Sequence, residues 1–209
     1  KGRKKREDPR TIVIRQGNRD AVNEAFRVLR TNLELMAGAN GDGNAPVILF
    51  TSFNPESGKT FLAANLAASF TLKGKKVLVI DCDLRRASLS KYVGSPQTGL
   101  SGYLGGQESE AGTQAVEMAG FPGLHILPGG IIPPNPAELL ATPRFAELVD
   151  TVRKHYDYVF IDCPPVEIVA DTQIVGRVAD RTVFVVRTGL LERAMLPELQ
   201  KAYDEKKYK

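Results

Sequence analysis

The stretch that most restricts the fold of this chain runs from Val47 to Thr60. Val47-Ile48-Leu49-Phe50 is an apolar, β-prone run that breaks into a polar turn and closes on Gly58-Lys59-Thr60. The alanine-rich, helix-prone stretch from Phe61 to Leu72 follows at once. A strand, a loop and a helix start in that order make an anion site. Backbone N–H groups and the positive end of the helix dipole converge on the loop. Gly58 then lets the main chain approach a polyphosphate, Lys59 reaches its β and γ oxygens, and the Thr60 hydroxyl is placed to ligate Mg²⁺. The candidate nucleotide-binding residues are accordingly Asn54, Pro55, Glu56, Ser57, Gly58, Lys59, Thr60 and Phe61. The usual pattern has a glycine five residues before the second one, and this chain has Phe53 there. Gly-Lys-Thr alone is weak evidence, so the flanking strand and helix carry the reading.

At 209 residues, with 43% hydrophobic and 25% charged side chains, the chain fits one domain with a sizeable core. No apolar run approaches the ~20 residues that a membrane span needs. The formal net charge of +4 lies in an N-terminal cluster, Lys1, Arg3, Lys4, Lys5 and Arg6, which leaves residues 7–209 at −1. Such a cluster is either a solvated tail or a juxtamembrane segment, where each basic residue near an anionic leaflet contributes ~1 kcal/mol. The body has no basic, aromatic-interleaved face, so nucleic acid is not an expected partner. Cys82 and Cys163 lack the spacing of a zinc site or a disulfide framework and read as small reduced residues, partly buried. His125 and His155 are too isolated to be ligands.

Before the loop, residues 11–15 read as an extended arm. A helix follows over about 21–37, with Asp20 as N-cap and Val22, Phe26, Leu29, Leu33 and Met36 as its apolar stripe. Glu24, Arg27 and Arg30 lie beside that stripe, three residues apart, and the residues alone suggest a solvated intrahelical pair. Beyond the loop, Val77 to Ile80 is a continuous apolar strand ending in Asp81-Cys82-Asp83, and Tyr158 to Ile161 is another ending in Asp162. Such runs mark parallel strands covered on both faces. Ligands gather at the carboxyl ends of strands in open α/β sheets, which puts these aspartates where a nucleotide would lie. Short helical turns are expected over 88–120 and a strand over 124–127. Helices are expected over about 136–141, 143–155 and 169–178, with a strand over 182–186 and a helix from Pro197 to about Lys206. The fold class that results is α/β, a P-loop NTPase-like three-layer α/β/α domain with a mostly parallel sheet.

Gly58-Lys59-Thr60, Asp81-x-Asp83 and Asp162 together resemble the bacterial tyrosine kinases, P-loop proteins that form the cytoplasmic part of exopolysaccharide and capsule co-polymerases. The likeness also covers Val79 to Arg86 and the run Gly129 to Leu140, and it extends from about residue 20 to the end. Glu24-x-x-Arg27-x-x-Arg30 resembles the family's oligomerisation motif, which displaces the solvated-pair reading. The resemblance implies ATP and Mg²⁺ as cofactors, with Lys59 on the β/γ phosphates and Thr60, Asp81 and Asp162 in the metal's shell. Asp83 or Asp81 would take the proton of the acceptor tyrosine. The implied partners are neighbouring copies in a ring, a transmembrane activator portion and a tyrosine-rich tail as substrate, at the cytoplasmic face of the inner membrane. On this reading residues 1–19 are a juxtamembrane-like arm and 20–209 the kinase domain, truncated at its C-terminus. Ser88 stands where many members carry a regulatory tyrosine, and Asn54 stands where septum-positioning ATPases carry a signature lysine. A partition or septum-positioning P-loop ATPase, which Asn54 argues against, and a non-catalytic, ATP-gated assembly module are the alternatives.

Overall fold

The computed structural model describes residues 11–38, 43–110, 112–166 and 171–205; the basic cluster at 1–6 therefore lies outside the described residues. Among the described residues six strands form one sheet: β1 (Val47–Ser52), β2 (Val77–Asp81), β3 (Val116–Glu117), β4 (Leu124–Leu127), β5 (Tyr158–Asp162) and β6 (Arg181–Val185). Their order is β3-β4-β2-β5-β1-β6, and every pairing is parallel except that of β3 with β4. The two-residue β3 was not anticipated, since its residues are exposed and form no apolar run.

Side chains of the central strands alternate between two cores, as the period of two requires. Ile48, Phe50, Val77, Val79 and Phe160 pack against α2 (Lys59–Thr71) and α1 (Ala21–Ala37). Val47, Leu49, Leu78, Ile80, Val159 and Ile161 pack on the opposite side with Leu100, Leu140, Phe145 and Leu148. Those partners come from α3 (Leu100–Leu104), α4 (Pro136–Leu140) and α5 (Pro143–Val152). Among the described residues there are also the short helices α6 (Asp171–Val175) and α7 (Leu196–Asp204). The result is the expected three-layer α/β/α arrangement around a mostly parallel sheet.

The buried face of α1 differs from the predicted stripe. Asn23, Phe26, Arg30, Leu33 and Ala37 point inward, while Val22 and Met36 are 48% and 64% exposed. Two polar side chains account for the rotation. Asn23 receives the Arg15 backbone N–H on its Oδ1, and Arg30 donates to the carbonyl and hydroxyl of Ser69 on α2. Ile12 and Ile14 are buried in the same core, and the Val13 N–H donates to Asn65 Oδ1. This part of the predicted arm thus packs into the domain.

Candidate active site

The carboxyl ends of β1, β2 and β5 meet beneath a cavity of about 720 Å³. Gly58, in the left-handed region at φ 92°, turns the chain from the loop into α2. Glu56, a non-glycine residue, also adopts positive φ, at 63°. Pro55, Glu56, Gly58, Lys59, Thr60 and Phe61 line the cavity. The carbonyl of Asn54 instead accepts hydrogen bonds from the hydroxyls of Ser52 and Ser57, so Asn54 and Ser57 brace the loop from behind. Phe53, in the place of the absent glycine, packs its ring 4.8 Å from that of Phe184 on β6. A side chain there ties the loop to the neighbouring edge strand.

Lys59, buried at the start of α2, has its Nζ 3.4 Å from Asp162 Oδ1 and 3.5 Å from Asp83 Oδ2. Thr60 donates its hydroxyl to Asp162 Oδ2 at 2.7 Å. Asp81 and Asp162 are paired in the register of β2 and β5, which sets their carboxyl groups side by side. Both are fully buried; Asp83 is nearly as buried, at 2% exposed, but lines the cavity wall. Asp81 Oδ2 accepts from the Ser90 N–H at 2.8 Å and the Ser90 hydroxyl at 2.7 Å, and that hydroxyl accepts in turn from the Gly129 N–H. Ser90 opens a 3-10 turn over Ser90–Val93. Nothing in its spacing from the aspartates marks it in the sequence.

Burial works to lower the Lys59 ammonium, but the carboxylates of Asp162, Asp83 and Asp81 outweigh it and hold its pKa above the ordinary value. The Asp81 carboxyl is pushed up to about 7, first by burial and then by the charge of Asp162, against the two hydrogen bonds from Ser90. Burial likewise raises Asp162, opposed by Lys59 and Thr60. Three carboxyl groups thus surround one ammonium, a site short of positive charge.

Such a donor set suits a magnesium–nucleotide complex. Asp81 Oδ1 is buried without a hydrogen-bond partner, and Thr60 and Asp162 offer oxygen donors. Among the described residues no group of three or more His, Cys, Asp or Glu could hold a metal unaided. Magnesium keeps several waters and shares substrate phosphates, so it needs few protein ligands.

Five further side chains belong to the neighbourhood, and none of them was given a role from the sequence. Arg187, beyond β6, lines the cavity and donates to the Glu56 carbonyl at 3.1 Å. Arg85 lies 3.4 Å from the buried carboxylate of Asp171. Arg86, Lys91 and Tyr92 join Asp83 and Ser88 along the cavity wall. The predicted oligomerisation residues are elsewhere and are split between two environments. Glu24 and Arg27 form an ion pair on the exposed side of α1, while Arg30 is buried against Ser69. No helix among the described residues is long and apolar enough to cross a membrane.

The strand–loop–helix element, the flanking aspartates and the cavity between them define a P-loop nucleotide-binding protein. A family model described as an AAA domain matches residues 46–195. Tyrosine-protein kinase YwqD of Bacillus subtilis is 36% identical over 194 residues, which cover 92% of this chain and 80% of that protein. Putative tyrosine-protein kinase EpsB of Ralstonia solanacearum is 40% identical over 190 residues, 90% of this chain, which spans only 24% of that relative's length. In structure, the kinase domain of Escherichia coli tyrosine kinase ETK superposes with a TM-score of 0.79 at 34% identity, covering 88% of this chain and 71% of that one. The septum site-determining protein MinD of Pyrococcus horikoshii, solved with Mg-ADP, shares the fold with a TM-score of 0.64 at 23% identity, over 78% of this chain and 67% of that one. The chain belongs to the bacterial tyrosine-protein kinases, within the AAA-domain family.

Proposed function

We propose that this domain is an ATP- and Mg²⁺-dependent protein-tyrosine kinase. Within a longer protein at the cytoplasmic face of the inner membrane, it would phosphorylate the tyrosine-rich tail of a neighbouring copy and so regulate exopolysaccharide or capsule synthesis. The observation that carries the reading is the convergence of Lys59, Thr60, Asp83 and Asp162 at one cavity that can hold a nucleotide. The loop N–H groups and Lys59 hold the β and γ phosphates, and bound Mg²⁺ supplies further neutralisation of the phosphate oxygens. The phenol oxygen of the acceptor forms a bond to the γ-phosphorus while the β–γ bridging P–O bond breaks, and ADP leaves. Asp83, the aspartate that lines the cavity, receives the phenol proton. Asp81 is buried behind it, where its unpartnered Oδ1 would serve the metal's shell. Tyrosine has an ordinary pKa near 10, so the carboxylate acts chiefly through position.

Assembly in a ring is supported by the outer side of α1, where Val28 and Leu35 are 60% and 77% exposed beside Glu24 and Arg27. Arg30, turned inward, would support that surface from beneath.

The test is transfer of the labelled γ-phosphate of ATP to a tyrosine peptide in the presence of Mg²⁺. Lys59→Met should abolish both nucleotide binding and transfer. Label retained on tyrosine in that variant would overturn the assignment. Nucleotide-dependent change of oligomer mass without any transfer would favour the assembly module instead.

A further inference from the structure

We infer that the acceptor side of the cavity is built for a tyrosine flanked by acidic residues; this rests on the kinase reading and names its substrate class. The charged side chains lining the cavity are Lys59, Arg86, Lys91 and Arg187 against Glu56 and Asp83. Lys59 is committed to Asp83 and Asp162, and Arg187 to the carbonyl of Glu56 in the phosphate loop. On the loop after β2, Arg85 is drawn to Asp171, while Arg86 and Lys91 are exposed and form no ion pair among the described residues. Both follow Asp83 on the same connection, and the Arg86 N–H donates to Asp83 Oδ1 at 3.2 Å. A phenol whose proton goes to Asp83 must therefore carry its flanking residues past these two cations. Ser88, between them, leaves room on that wall, and the ring of Tyr92 gives the acceptor an aromatic surface.

Two rim charges of this kind act on encounter and selectivity more than on the chemical step. Exposed pairs contribute modestly each, so together they should favour an acidic peptide over a neutral one about five- to tenfold. The preference should fade in high salt as the charges are screened.

The experiment uses two labelled peptides of equal length with one central tyrosine, flanked by glutamates in one and glutamines in the other. Binding is read by fluorescence anisotropy with a non-hydrolysable ATP analogue and Mg²⁺, and label transfer is measured in parallel with ATP. Tighter binding of the acidic peptide, with the preference lost in Arg86→Gln/Lys91→Gln, is the expected result. Equal binding of the two peptides overturns the inference even if both are phosphorylated. A double variant that loses affinity for the ATP analogue and keeps the peptide preference also overturns it, because the two cations would then serve the nucleotide. Failure to label either peptide, with the binding preference intact, counts against the kinase reading itself.

Discussion

Replacing Asp81 with asparagine should separate stability from phosphotransfer. Asp81 is fully buried, its Oδ1 lacks a hydrogen-bond partner, and its carboxyl is pushed up to about 7 from an ordinary value of 3.8. The stabilisation that its proton brings is therefore complete below the ordinary value and is lost as pH rises through about 7. Above neutrality the fold carries a buried charge at a cost on the order of 4 kcal/mol, at ~1.4 kcal/mol per pKa unit. The variant also forfeits attraction to Lys59, which reduces the expected gain to ~2–3 kcal/mol. For a domain of this size that raises the melting temperature by ~4–12 °C. Asparagine can still accept from Ser90, and its amide can donate toward Asp162, so the geometry has reason to persist. The assay is thermal unfolding followed by circular dichroism, without nucleotide, at pH 8 and pH 5. Asp81→Asn should melt higher at pH 8, with a smaller gap at pH 5, and should lose label transfer. A gap that is absent, reversed or independent of pH would refute the reasoning.

The two arginines of α1 should respond differently to truncation. Arg27→Ala should change stability by no more than ~0.5 kcal/mol while lowering the oligomer mass in light scattering. Arg30→Ala should destabilise the fold by ~3 kcal/mol in urea unfolding, because it leaves a gap and removes the donor to the Ser69 carbonyl and hydroxyl. Ser90→Ala should lower kcat about tenfold with little change in KM for ATP, since it keeps the backbone N–H bond to Asp81 but removes the hydroxyl that donates to the same oxygen and accepts from the Gly129 N–H. Partial rescue by Ser90→Thr would separate this positioning role from a loss of packing.

The parts of the molecule that the sequence made legible are those ruled by local physics. Continuous apolar runs at 77–80 and 158–161 announce strands covered on both faces, and the aspartates that end them fall at the ligand-binding edge. Gly58-Lys59-Thr60 marks the loop because a phosphate site needs a short backbone path into a helix. Residues that act through distant contacts left no such trace. Arg187 reaches Glu56 across 131 positions, and Ser90 meets Asp81 only because a turn folds back under β4. On α1 the period was right and the phase was off at the edges: Phe26 and Leu33 are buried and Leu29 packs on the core, but Val22 and Met36 face outward. Pattern reading puts apolar residues inward, yet Asn23 and Arg30 find buried partners in the arm and in α2. A polar side chain with a satisfying partner can displace a hydrophobic one from the inward face, and only the fold reveals the partner.

The electrostatics of the site also bear on what should enter it. A nucleoside triphosphate is strongly anionic, and the carboxyl groups of Asp81, Asp83 and Asp162 face it across a single ammonium. Lys59 lies 3.4–3.5 Å from its two carboxylate partners, longer than a tight charge-assisted hydrogen bond. Its amine is therefore held by opposing pulls, poised between the aspartates and the cavity. Phosphate oxygens arriving alone would compete with the aspartates for that one cation. A divalent ion carried on the phosphates removes the conflict, because it satisfies the aspartates and the anion together. The charge distribution thus favours the metal–nucleotide complex over free nucleotide. It also leaves Arg86 and Lys91, outside this balance, to act on the acceptor.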